Sequence, residues 1–362
     1  MTKQTGQDGE RFVADVVTTI DKPVRAATYS FFSNDEWLQC LFDHGLNEPA
    51  DLAVHTLTSD ARPIARLVAV RPLEVDQLVS LTNYYSLINP GLETVPGALG
   101  DVLIDWLAAI RRTAPGGRRL VLDYLAAWDP ATPQQVALLQ AAGYRIDVQH
   151  KTWNWRVCVA GKTFADYWSA RPSRLRNTVD RADRRLTQRR SVRLELAQSL
   201  AELDGLMSDY QAVYSRSWKP TETPAGFMPA MMRLAASGGR LRLAVLYLDD
   251  QPAAAQCWIV DQGIATIYKL AHDPVFGRES VGSVLTRRLI ERAIETDKVA
   301  FIDYGVGDEP YKRDWMADRR QLVTLTAVGD AGPIAAATVL KWRLRDVLRR
   351  LGWRDYVPVQ LA

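Results

Sequence analysis

The stretch from Ile264 to Trp315 constrains this chain more than any other. Ile264 to His272 is rich in β-formers and reads as a strand. A turn-prone loop follows, Asp273-Pro274 and then Gly277-Arg278-Glu279-Ser280. From Val281 the apolar positions Val281, Val284, Leu285, Leu289, Ala293 and Ile294 fall at helical spacing, with Arg287, Arg288, Glu291 and Arg292 mostly on the wet side. Ser280 is placed to cap that helix. Val299 to Tyr304 reads as a second strand, which Gly305 and Gly307 break before Asp308-Glu309-Pro310-Tyr311-Lys312. The unit is strand, loop, helix, strand, with a polar cluster at its end.

The loop and helix start form a candidate anion site. The first turn of a helix leaves backbone N–H groups unpaired, and the macrodipole adds partial positive charge there. Arg278 adds a formal charge, and Gly277 and Gly282 let backbone approach a ligand. A pyrophosphate suits this chemistry; the plainer alternative is a strand–helix turn with a surface arginine. No Gly-Lys-Ser/Thr follows, so the loop is not a Walker loop, and there is no Gly-x-Gly-x-x-Gly of a dinucleotide fold.

The position of the loop resembles the pyrophosphate loop of the GNAT acyltransferase superfamily. Val281 stands where that pattern has its first Gly, Gly282 comes one place late, and Ser283 replaces the last small residue. The run Phe301-Ile302-Asp303-Tyr304-Gly305-Val306-Gly307-Asp308-Glu309-Pro310-Tyr311-Lys312, with Ser280-Val281-Gly282, is similar to the acetyltransferase-like family associated with cellulose biosynthesis. More distantly the chain resembles Fem-type ligases, which add amino acids to peptidoglycan precursors. The resemblance covers roughly Phe164 to Thr326. It implies an α/β (α+β) fold of two tandem GNAT-like domains, each a mixed, mostly antiparallel sheet flanked by helices.

At 362 residues, with 47% apolar and 24% charged residues, the chain has room for two ordinary globular domains. Cys40, Cys158 and Cys257 lie far apart and give no disulfide framework, and His44, His55, His150 and His272 are isolated, so no metal site is expected. No run has the length of a membrane span and the N-terminus lacks the apolar core of a signal peptide, which points to a cytoplasmic protein.

The first twenty residues read as a loose tail or short helix and Val24 to Phe32 as β-like. Ser33-Asn34-Asp35-Glu36 caps a helix with Trp37, Leu38, Leu41 and Phe42 on one face. Ala53–Leu57 and Ala65–Val70 form a hairpin, Leu78–Leu87 and Arg119–Tyr124 are strands, and Leu99–Ile110 and Thr132–Ala142 are helices. Leu122-Asp123-Tyr124 sits 180 positions before Ile302-Asp303-Tyr304, and Asn89-Pro90 sits 184 before Asp273-Pro274, which fits two copies of one fold. Tyr144 to Val159 is strand-like. The expected domains are 1–160 (a degenerate GNAT-like copy), 161–330 (the acyltransferase copy) and 331–362 (a helix and tail).

Between Arg171 and Arg193 nine arginines face Asp180 and Asp183, a pattern that suits either phosphate or RNA, or a solvated helix facing carboxylates. Leu200–Ser217 and Phe227–Ala236 are helices, and 241–248 with 253–260 is a hairpin. Trp218 ends the first of these helices, where the resemblance implies an acceptor side and packing alone implies core. Gln321–Val328 is a last strand. Ile334–Leu351 is a basic amphipathic helix, expected to pack its apolar face on the domain, although such a helix also suits an anionic membrane surface.

The resemblance implies that Tyr268, Lys269 and Leu270, on the strand that splays from the one ending at Tyr304, hold the donor together with Arg278, Glu279, Ser280, Val281, Gly282 and Ser283. Acyl transfer to an amine needs a base and charge stabilisation. Asp303 and Asp308 are candidate bases, Tyr311 a proton donor to the leaving thiolate, and Lys312 a stabiliser of negative charge. Trp218, Lys219 and Tyr304 are the expected substrate contacts. The expected function is N-acyl transfer from acyl-CoA to a small-molecule or peptide amine. The alternatives are a Fem-type ligase using aminoacyl-tRNA, the one case with a nucleic-acid partner, and a non-catalytic binding protein.

Overall fold

The structure is a computed structural model that describes residues 2–5, 11–17, 30–95, 97, 100–329, 333–350 and 357–362. The chain divides into two compact units, Met1–Thr152 with Arg320–Ala362, and Trp153–Arg319.

The first unit opens with antiparallel strands β1 (Thr2–Thr5) and β2 (Arg11–Val17), not a loose tail or helix. The β-formers of β2 find a ladder partner far along the chain, which local pattern cannot reveal. Residues 24–29 of the expected β-like stretch lie outside the described residues, and Phe31–Ser33 is a 3-10 turn. Asn34 then caps α1 (Asp35–His44) by accepting the Trp37 N–H at 2.7 Å. Strands β3 (Ala50–Ser59) and β4 (Arg62–Pro72) form a tight hairpin through Asp60 and Ala61, at φ 47° and 64°. Strand β5 (Leu78–Ser80) is far shorter than its sequence suggests. The Asn83 carboxamide accepts the Tyr85 N–H at 2.8 Å and turns the chain out of the sheet. There follow β6 (Leu92–Thr94), α2 (Gly100–Thr113), β7 (Arg119–Ala126), α3 (Ala131–Ala141) and β8 (Tyr144–Cys158), the last crossing the boundary between units.

In the second unit α4 (Phe164–Ser169), α5 (Ser173–Arg189), β9 (Val192–Ala197), α6 (Leu200–Arg216) and α7 (Phe227–Ser237) precede the sheet centre. Strands β10 (Leu241–Leu248), β11 (Gln251–Asp261) and β12 (Ile264–His272) run as a meander. Helix α8 (Val281–Glu295) crosses to β13 (Phe301–Val306), followed by the short α9 (Lys312–Trp315). The strand order is β8-β13-β12-β11-β10-β9, antiparallel except for β12 with β13. Helix α5 seats Val179, Ala182 and Leu186 in the core with the apolar face of α8. Asp183 pairs with Arg288 at 2.7 Å, while Arg174, Arg181, Arg184 and Arg185 stay exposed. A surface hollow of about 600 Å³ lined by Trp168, Asn177, Asp180, Arg181, Asp183, Arg184 and Arg287 lies along α5 and α8.

The chain then returns to the first unit. Strand β14 (Asp318–Gly329), which the sequence suggests closes the second domain, pairs antiparallel with β7. The parallel pair in this unit is β5 with β7, through Leu78 opposite Leu120 and Val79 opposite Val121. Helix α10 (Pro333–Arg350) buries Ala335 and ties Arg345 to Asp147, but it leaves Leu340, Leu344 and Val347 exposed, contrary to the packed apolar face expected from sequence. Among the described residues no helix is long and apolar enough to cross a membrane.

A buried polar network fixes α8 to the sheet. Gln256 on β11 is 1% exposed; it accepts the Trp258 indole N–H at 2.8 Å. Its amide donates to Thr286 Oγ1 at 2.7 Å and to the Gly282 carbonyl at 3.1 Å. Replacing Gln256 with Leu strands the Trp258 indole N–H without water, while the Thr286 hydroxyl keeps the Gly282 carbonyl at 2.9 Å. Gln256→Leu should therefore lose about 1–3 kcal/mol of stability, read as a lower denaturant midpoint, where an exposed substitution such as Gln251→Leu stays close to wild type.

Candidate functional site

The feature that makes a site is an incomplete pairing. Strands β12 and β13 are registered only through Ile264–Phe301, Ala265–Ile302 and Thr266–Asp303. Each strand then leaves the other through a bulge. On β12, Cys257 faces Lys269 and Trp258 faces Ile267, so Tyr268 is the extra residue. On β13, Asp303 faces Arg156 and Val306 faces Asn154, so Tyr304 and Gly305 together oppose Trp155. Gly305 takes φ 67°, which glycine adopts without steric cost. The Asp303 carboxylate accepts the Gly305 N–H and the Asn154 amide, both at 2.7 Å. Asp303, one of the two expected bases, is thus committed to holding the bulge.

At the C-terminal end of β12 the chain makes a 3-10 turn over Pro274–Glu279 before α8 begins. Asp273 accepts the Val275 N–H at 3.0 Å and the Arg216 guanidinium at 2.6 Å. Ser280 sits at the start of α8 as the sequence implies, but at φ 56°, ψ 31° and with no side-chain capping bond. A left-handed serine costs roughly 1–2 kcal/mol, so packing on both sides must hold it there. Val281 is fully buried and can offer a ligand only its backbone, whereas Gly282 and Ser283 are half-exposed. A Cβ on Gly282 would lie 3.3 Å from His272 Nδ1, so any larger residue there would press on the His272 ring. Glu279 is taken by Arg190 at 2.9 Å, while Arg278 is exposed with no carboxylate within ion-pair distance among the described residues.

The loop after α6 closes the other side. Trp218 is 58% exposed and its ring lies 4.5 Å from that of His272, so it is not a core residue. Beyond it stands Glu222, a residue the sequence analysis does not single out. Its carboxylate accepts the Tyr210 hydroxyl at 3.3 Å and interacts with Lys269 and Lys219. Burial raises the Glu222 carboxyl above the usual carboxylate range, against the pull of those two lysines. Burial likewise lowers Lys269 from 10.5 to about 8, partly offset by Glu222, and lowers Lys219. Glu222 lies in Pro220-Thr221-Glu222-Thr223-Pro224, where nothing in the pattern announces burial. Its only sequence signal is that it follows the Trp218-Lys219 pair.

The remaining expected residues separate into two groups. Lys312 is buried; its ammonium donates to the Val306 carbonyl and pairs with Glu309 at 2.8 Å, beside Tyr304. Tyr311 is 44% exposed and meets the Tyr304 ring edge-on at 5.5 Å. Tyr304 itself is buried, and burial pushes its hydroxyl well above the usual range. Asp308 stands apart, with one oxygen accepting the Trp155 indole N–H at 2.9 Å and the other paired to Arg319 at 3.0 Å. Both of its oxygens are thus engaged by side chains at the exit of β13. Leu270 is half-buried against the core and Tyr268 is buried, leaving Lys269 as the polar group on that strand. Among the described residues no group of three His, Cys, Asp or Glu is placed to hold a metal ion.

Residues 173–313 match the family model for the acetyltransferase (GNAT) domain. The splayed pair, the loop and α8 all fall inside the matched residues. No curated protein matches the sequence. Among solved structures the fold is similar to FemX, at TM-score 0.56 and 9% identity, over 82% of this chain and 92% of that one. It is also similar to L-PGS from Bacillus licheniformis, at TM-score 0.50 and 12% identity over 86% and 96% of the two chains. A conserved protein of unknown function from Bacteroides thetaiotaomicron matches at TM-score 0.50 and 10% identity, over 82% and 90%. At such identities the likeness is one of fold.

The depressed Lys269 has a consequence for stability. Between about pH 8 and 10.5 the unfolded chain holds this proton and the folded one does not. Folding stability should therefore rise with pH across that window, and the contribution is lost as pH falls through 8. Denaturant titrations at several pH values should show this rise in the wild type and a flatter dependence in Lys269→Met.

Proposed function

We propose that the chain is an N-acyltransferase that moves an acyl group from acyl-CoA to an amine acceptor at the β12–β13 opening. The observation that carries the proposal is the short parallel pairing of these strands, with the α8 N-terminus at the edge where they part. In open sheets ligands bind beyond the carboxyl ends of parallel strands, and a helix N-terminus there favours a phosphate group. The half-exposed backbone of Gly282 and Ser283 and the uncommitted Arg278 fit a pyrophosphate. The donor supplies a thioester carbonyl, held along Lys269 and Leu270 by the backbone freed where pairing stops.

Glu222 takes the amine proton as nitrogen attacks the carbonyl carbon; its raised affinity for protons suits that role at neutral pH. The C–S bond then breaks, and Tyr311 returns a proton to the thiolate while Lys312 and Lys269 offset negative charge. Trp218, Lys219 and Tyr304 border the acceptor. Asp303 and Asp308 act by shaping β13 and its exit. We read the first unit as a second copy of the fold, a reading supported by its own short parallel pair β5–β7 at Leu120 and Val121. A tRNA-linked donor is the competing reading, favoured by the exposed Arg174, Arg181, Arg184 and Arg185.

Acetyl-CoA or a longer acyl-CoA at about 100 times its Kd should add about 2.7 kcal/mol of stability, visible as a rise in Tm, and Arg278→Glu should abolish the rise. If no acyl-CoA shifts the Tm while tRNA binds with steep salt dependence, the tRNA-linked donor replaces this reading. With a turned-over amine, Glu222→Gln should lower kcat about 10²–10⁴-fold while leaving the donor-induced Tm rise intact. An unchanged kcat would remove Glu222 from the role of base.

A further inference from the structure

Helix α10 carries an apolar stripe that no part of the described chain covers. At about 100° per residue, Leu340, Leu344 and Val347 fall within an arc of about 60°. They are 67%, 58% and 51% exposed, which is unusual for three large aliphatic residues in helical register. Ala335, which is buried, lies diametrically opposite Leu344, and Arg345, pinned to Asp147, also points inward. The orientation of the helix is therefore set by its other face, and the stripe is turned outward by that anchoring. Exposed Lys341 borders the stripe about 60° beyond Leu344, and exposed Arg343 about 40° beyond Val347 on the other side. Along the helix the sequence places Lys341, Arg343, Arg345, Arg349 and Arg350 against a single acid, Asp346.

We infer that α10 docks in the plane of an anionic lipid surface, with Leu340, Leu344 and Val347 inserted among the acyl chains and Lys341 and Arg343 on the headgroups. A row of aliphatic side chains rimmed by cations on both flanks matches the interfacial layering of a bilayer, whose apolar layer lies beneath a negatively charged one. Long basic side chains reach up from such a row to the headgroup level. A second copy of this chain is a worse occupant. Two stripes paired about a two-fold axis would set Lys341 and Arg343 against their own kind. The surface is independent of the acyltransferase reading and stands whether or not that reading holds.

The test is flotation of the full chain with vesicles of phosphatidylcholine alone and of phosphatidylcholine with about one-third phosphatidylglycerol. Binding should occur on the anionic vesicles, weaken with salt, and be absent or weak on the neutral ones. Leu344→Glu should lower the partition coefficient at least about tenfold, since an aliphatic insertion is lost. Lys341→Glu and Arg343→Glu should each lower it about fivefold or more. An unchanged melting curve for each variant keeps a loss of binding from being a loss of fold. No binding to anionic vesicles, or equal binding by wild type and Leu344→Glu, would overturn the inference. A wild type that sediments as a dimer and a Leu344→Glu variant that sediments as a monomer, neither binding vesicles, would assign the stripe to a second copy.

Discussion

The side-chain amide of Gln256 holds together the parts on which everything at the candidate site depends. It reaches from β11 to the first turn of α8, joining the Gly282 carbonyl and the Thr286 hydroxyl, and it is itself oriented by Trp258. One buried network thus sets the height of the helix terminus over β11. In a dry interior each of these bonds is strong only while all partners are met, so the network has one arrangement rather than several. The left-handed Ser280 and the side-chain-free position at Gly282 are tolerable because α8 cannot shift to relieve them.

Much of this could be read from the chain, and the limits have physical causes. The elements from β10 to α8 follow from period and turn chemistry because each is set by its own residues. The short β5 fails that test, since an Asx turn at Asn83 competes with a β-like run. Strands β1 and β2 and the place of β14 fail for a different reason, because their ladder partners are distant and no local pattern encodes them. The motif puts Arg278, Lys269, Tyr304 and Lys312 on the loop, the two strands and the turn where the structure has them. Glu222 is not legible from sequence, because a carboxylate in a loop becomes chemically distinctive only when folding buries it beside lysines. Asp303 and Asp308 show the reverse. Their residue type suggested proton transfer, and their neighbours, a backbone N–H and an arginine, employ them otherwise.

The charges at the opening are graded. Lys312 is matched by Glu309 at hydrogen-bond distance. Lys269 interacts with Glu222 through a partly buried environment that weakens the charged form of both. Lys219 interacts with Glu222, Glu309 and Lys312 but has no carboxylate within ion-pair distance among the described residues. Burial makes the ionisations of Glu222, Lys269 and Lys219 responsive to one another, so a ligand's charge entering here would shift several protons at once. That responsiveness is what separates this cluster from the exposed arginines of α5, whose charges are fixed and screened by solvent.

The path of the chain bears on when the protein can form. The second unit is an insertion: β8 leads into it and β14 leads out, and its two ends meet where the Arg319 guanidinium lies 3.9 Å over the Trp153 ring. The first unit needs β14 beside β7, yet β14 is made after the whole second unit. As the ribosome delivers the chain, the earlier-synthesised unit is left with an open strand edge until β14 emerges, whereas the inserted one has all of its own chain before β14 is complete. Order of synthesis and order of completion are thus inverted, and it is the N-terminal half that must be kept from pairing with strangers in the interval.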